Sequence, residues 1–158
     1  MASMHPDAAA GSGASATGTI NAQTTELHPE GTDRVTFGPP PPGAKPAISY
    51  ATAVAAASAY AGYSEQFAAA QEIVTYGDFT DLDARRDYGN GSYGPPFYDH
   101  LVVVDVRFVN IPLPIIGGGP AASELERPPP PRVGNGDVDI IINAISGEPI
   151  TEIDQGVS

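Results

Sequence analysis

His100-Leu101-Val102-Val103-Val104-Asp105-Val106-Arg107-Phe108-Val109-Asn110-Ile111 is the stretch on which the fold turns. It opens as a continuous apolar run and then alternates, with Val104, Val106 and Phe108 set against Asp105 and Arg107. A period of two marks a strand, and an unbroken apolar run marks a strand covered on both faces. The stretch therefore predicts a strand buried on both sides at one end and half exposed at the other.

Two further strands are predicted around it. Residues 72–79 alternate weakly and stop in the polar segment Thr80–Asp87, while Asp137-Val138-Asp139-Ile140-Ile141-Ile142-Asn143-Ala144-Ile145 is strongly apolar. Ser146-Gly147 then supplies a tight turn into a short return strand at 148–153. Pro149 lacks an N–H, which places that return strand at a sheet edge. Upstream, residues 49–61 predict a helix. Ser49 is placed as N-cap, Tyr50, Val54, Ala57 and Ala61 share one face, and Gly62 takes the left-handed position that ends it. A second helical turn is expected at 64–71, anchored by Phe67.

Gly 18 and Pro 17 together make about a fifth of the 158 residues, against ~12% in an average chain, and they cluster. Residues 1–45 read as a flexible Ala/Gly/Ser/Pro-rich arm. The stretch 8–19 has no large apolar side chain to offset the entropy of ordering. Pro39-Pro40-Pro41-Pro42 closes the arm as an extended spacer. Within it, Arg34-Val35-Thr36-Phe37 could add an edge strand when docked. Residues 46–158 then form a single domain with long Gly/Pro-rich loops at 87–98 and 112–136. The expected fold is α+β: one helix on an antiparallel sheet of three to four strands.

Asp and Glu outnumber Lys and Arg by 19 to 7, a formal charge of −12. The charge is spread along the chain, with no run that marks an acidic tail. Such a surface repels phosphate backbones and argues against nucleic acid as partner. No apolar window reaches the length of a membrane-spanning helix. With no Cys there is no disulfide framework, thiolate site or cysteine nucleophile. Met1 and Met4 lie close together as at a cloning junction, which leaves an extracytoplasmic location open if a leader was removed.

The element order, and the hairpin Ile141-Ile142-Asn143-Ala144-Ile145-Ser146-Gly147-Glu148-Pro149-Ile150 in particular, resembles the PepSY-like α+β domains, which are similar in layout to cystatins. Their last hairpin typically reads Asp-Ala-x-Thr-Gly-Glu. Asn143 stands where that pattern has Asp, and Ser146 where it has Thr. The likeness spans about residues 48–153 in layout. It implies an inhibitory or interaction module, often exported, and brings no catalytic residues with it.

Several constellations invite chemistry. Tyr98-Asp99-His100 with Asp105 nearby suggests an acid–base pair, yet side chains an odd number of positions apart leave opposite faces of a strand. Asp78, Asp81, Asp83 and Asp87 offer oxygen ligands, but the EF-hand spacing fails and Arg85-Arg86 interrupts them. Asp137 and Asp139 share a face that Asp105 could join, the arrangement of a carboxylate pair for a hydrolase. Asn90-Gly91-Ser92 fits a glycosylation sequon and equally a turn. None of these assigns a catalytic residue, a cofactor or a metal site.

The aromatics say more. Tyr88, Tyr93, Phe97 and Tyr98 lie in one Gly/Pro segment, and aromatic side chains there give large contact area at low entropy cost. They are the expected partner-binding residues. The expected function is a non-enzymatic protein-interaction module that binds a protein or peptide through aromatic or Pro-rich loops or a sheet edge. The alternative is a structural subunit of a filament, virion or other assembly, whose N-terminal arm orders on neighbouring copies. A thin core makes self-association as a homo-oligomer compatible with either.

Overall fold

The structure, a computed structural model, describes residues 18–29, 31–60, 70–114 and 133–155. In chain order its elements are β1 (Asn21–Ala22), β2 (Val35–Gly38), α1 (Tyr50–Tyr60), β3 (Gln71–Asp87), β4 (Tyr93–Pro114), β5 (Val133–Asn143) and β6 (Pro149–Gln155). They make one six-stranded sheet in the order β1-β3-β4-β5-β6, with β2 also on β3, beside β1.

The expected α+β domain with three or four antiparallel strands is thereby corrected. Strand accounts for 58% of the described residues and helix for 10%. The six-stranded sheet is also mixed, because β1 pairs parallel to β3 at Thr75 and Tyr76. Two physical causes account for the difference. Residues assigned by composition to the arm carry just enough apolar surface, at Val35 and Phe37, to dock as β2. The polar segments at 80–87 and 93–98 zip into a ribbon, because a five-residue turn between them satisfies its own backbone. Gly89 and Gly91 adopt φ of 77° and 79°, Asp87 Oδ1 accepts the Gly89 N–H at 2.8 Å, and Asn90 Oδ1 accepts the Ser92 N–H at 3.0 Å.

α1 starts as expected. Ser49 Oγ accepts the Thr52 N–H at 3.1 Å, satisfying one of the free donors of the first turn. Ala53, Val54 and Ala57 are buried against Val104, Val106, Phe108, Ile140 and Ile142 of the sheet, the small side chains letting the helix lie close. The expected C-terminal Gly62 and the anchor Phe67 lie outside the described residues, as does the middle of the 112–136 segment. The ends of that segment are strand: Pro112 pairs with Asn135 and Pro114 with Val133.

The opposite face of the sheet is also covered. Val35, Phe37, Phe79, Val103, Ile141 and Ile153 form a second apolar cluster there. Gly77 makes it possible, because a Cβ at this position would meet the Gly38 carbonyl oxygen at 2.2 Å and the Phe37 ring at 2.8 Å. The ring of Phe37 occupies the space a side chain would take. A fully buried Phe contributes about 3 kcal/mol at the upper end of apolar transfer values. β4 is thus buried on both faces through Val103, Val104, Asp105 and Val106, and Asp105 does not face water as the alternation suggested.

Candidate functional site

Two of the irregularities along β4 matter for the site. Tyr98 pairs with Asp81 and Leu101 with Phe79, so Asp99 and His100 together oppose Thr80. Phe108 pairs with Val138 and Ile111 with Gly136, so Val109 and Asn110 together oppose Asp137. Each is a β-bulge with one extra residue, and each holds a non-glycine residue in the left-handed region, His100 at φ 54° and Asn110 at φ 61°. Side-chain bonds support both. The His100 N–H donates to Thr80 Oγ1 at 3.0 Å, and the Asn110 N–H donates to Asp137 Oδ1 at 3.1 Å.

Beyond the first bulge the sheet thins to a ribbon. β2 pairs with β3 only as far as Asp81, and β5 reaches β4 only from Val103. Past Leu82, whose N–H donates to the Arg34 carbonyl at 2.9 Å, the described parts of β3 and β4 pair with each other, at Arg85 with Pro96 and at Asp87 with Tyr93. This arm carries the four aromatic residues read from the sequence as partner-binding. Tyr88, Tyr93 and Phe97 are 56%, 56% and 64% exposed. Tyr98 differs: it is half-buried, with its ring 6.2 Å from Phe79 in the second cluster, and anchors the root of the arm. Arg85 lies 5.1 Å over the Tyr93 ring, and the Tyr88 ring runs across Gly94, where a Cβ would meet its hydroxyl at 3.2 Å. The arm is thus an aromatic and guanidinium surface on a scaffold two strands wide.

At the second bulge the strand kink opens a cleft of about 740 Å³. Its lining includes His28, Asn110, Asn135, Asp137, Asp154 and Gln155. Sequence reasoning missed it. Its residues come from four separate stretches, and only Asp137 had a pattern to draw attention.

The carboxylates of the supposed hydrolase do not converge on that cleft. Asp105 is 4% exposed and Asp139 1% exposed, whereas Asp137 lies at the cleft wall. Asp139 accepts from Arg107 Nε at 2.7 Å and from Gln155 Nε2. Burial, then the charge of Asp139, drive the Asp105 carboxyl well above its ordinary range. Burial also raises Asp139, opposed by its bond and attraction to Arg107. Of the two carboxyls Asp105 is pushed up the further, because Asp139 has the Arg107 cation beside it. This is an internal network tying β4, β5 and β6 together.

His100 finds its acid elsewhere than at Asp105. Nδ1 lies 2.9 Å from Asp78 Oδ2, and this bond, then the Asp78 and Asp99 charges, raise the imidazole above its ordinary value. Of the four aspartates at 78–87, Asp83 pairs with Arg34 Nε at 2.6 Å, and Asp81 Oδ1 accepts from the N–H groups of Asp83 and Ala84. Among the described residues, no three His, Cys, Asp or Glu side chains converge as a metal-holding group. No helix among them is long and apolar enough to cross a membrane. Compared with family models, curated proteins and solved structures, the chain finds no match.

Proposed function

We propose that the chain is a non-enzymatic protein-interaction module whose contact surface is the aromatic arm formed by β3 and β4. One observation carries the reading: Tyr88, Tyr93 and Phe97 are all more than half exposed on a two-stranded ribbon that Arg34 meets at its root, at Leu82 and Asp83. A two-stranded ribbon is marginally stable in water without a further surface to pack on. Large aromatics held there gain most by being buried against a partner. The interaction role implied by the PepSY-like likeness at 141–150 agrees with this reading. Open edges on both sides of the arm also favour the second reading, a structural subunit whose arm packs on neighbouring copies.

The test is a full-length variant with Tyr88→Ser, Tyr93→Ser and Phe97→Ser. These side chains lie outside both apolar clusters, so the domain is expected to melt within a few degrees of the wild type. The complex formed in native-source extract should be lost, read as a return of elution volume to that of the free chain. A complex that survives removal of all three rings contradicts the proposal.

A further inference from the structure

We infer that the cleft at the second β4 bulge receives the arginine-bearing arm of another copy of this chain, so that copies associate head to tail. The inference rests on the interaction role proposed above and names its partner.

The arm presents two cations that have no carboxylate partner among the described residues. Its carboxylates are engaged, Asp83 by Arg34 and Asp87 by the Gly89 N–H. Neither Arg85 nor Arg86 is ion-paired among the described residues, and Arg85 is held over Tyr93. In a chain of net charge −12, such guanidinium groups are the exception.

The cleft presents the complement. Asp137 and Asp154 line it, and Glu26 and Asp33 lie 3.4 and 3.7 Å from the His28 ring at its edge. Gln155 gives one amide N–H to Asp139, and its carbonyl oxygen is a further acceptor. The site is thus rich in acceptors and negative charge, suited to a donor-only guanidinium.

The arm cannot reach its own cleft. Arg85 sits opposite Pro96, and from Pro96 to Asn110 the chain runs along β4, a span of about 45 Å at ~3.3 Å per residue. Donor and acceptor surfaces at opposite ends of one strand make a heterologous contact. Such a contact builds a ring if its rotation closes and a filament if it does not.

Light scattering after size exclusion of the full chain tests this, over a range of protein concentration at low and high salt. The wild type should grow in mass with concentration, less so in high salt. Arg86→Glu and Asp154→Arg, both at exposed positions, should each weaken association about tenfold or more, as loss of a close charge pair does. The double variant R86E/D154R should recover it, because the charges are exchanged rather than removed. A wild type that stays at protomer mass throughout overturns the inference, as does a double variant no better than the singles. Association that ignores both reversals yet vanishes in the triple aromatic variant overturns the arm-in-cleft contact and leaves the aromatic interaction surface standing.

Discussion

Arg107 and Asp139 face each other directly across β4 and β5, with Nε of one donating to Oδ1 of the other at 2.7 Å. Asp139 is almost wholly enclosed, whereas Arg107 keeps about a quarter of its side chain in water. The pair fixes the register of the two central strands, since a slip by one residue would leave a buried carboxylate with no cation.

Removing one partner is therefore costly. Arg107→Ala should lower unfolding free energy by about 3 kcal/mol, the low end for a broken buried pair, because the guanidinium is partly hydrated. Replacing both, as Arg107→Met with Asp139→Leu, should restore most of the loss. Urea denaturation of the three proteins is the measurement.

Asp105 contributes to the pH dependence of stability. Its folded-state pKa lies well above its unfolded value, so the native chain holds a proton that the unfolded chain releases. Its favourable contribution is complete below the ordinary carboxylate pKa and is lost as pH rises toward the folded value. Asp105→Asn should thus stabilise the protein at neutral pH and make little difference near pH ~4, the unfolded carboxylate range. Thermal melts of both proteins across that window give the comparison.

Gly77→Ala should release β2. The new methyl would collide with the Gly38 carbonyl oxygen and the Phe37 ring, neither of which can yield without breaking the β2–β3 ladder. Overpacking of this kind costs about 3 kcal/mol. Limited proteolysis should then cut within 35–43, where the wild type resists.

The imidazole of His100 should titrate above an ordinary histidine in the wild type and return toward that value in Asp78→Asn. Being raised, its charge contributes fully below the ordinary value and fades as pH climbs through the shifted one. Side-chain NMR follows both proteins. An unchanged midpoint would show that Asp78 is not its partner.

Period-two alternation made β4 and β5 legible, and the Ser49 cap together with the spacing of Val54 and Ala57 made α1 legible. The Ser146-Gly147 turn was readable because Gly147 alone supplies its φ of 76°. Other features escaped for physical reasons. Arg34-Val35-Thr36-Phe37 read as an edge strand conditional on docking, and what was not readable was its dock, the space beside Gly77 forty residues away. Tyr88, Tyr93 and Phe97 were visible as aromatic residues, but not as occupants of a ribbon, since Pro95 and Pro96 argue locally against strand. Asp105 and Asp139 had the spacing of solvent-facing residues and are buried instead, because the second face of the sheet is covered by a strand that composition assigns to the arm.

The most direct test of the arm as contact surface is photo-crosslinking from position 97. A benzoylphenylalanine replaces Phe97 in one full-length protein and Ile73, exposed but distant on β3, in another. On illumination in native-source extract, position 97 should give a defined protein adduct and position 73 should not. Equal labelling from both positions, or an adduct from 73 alone, would contradict the account.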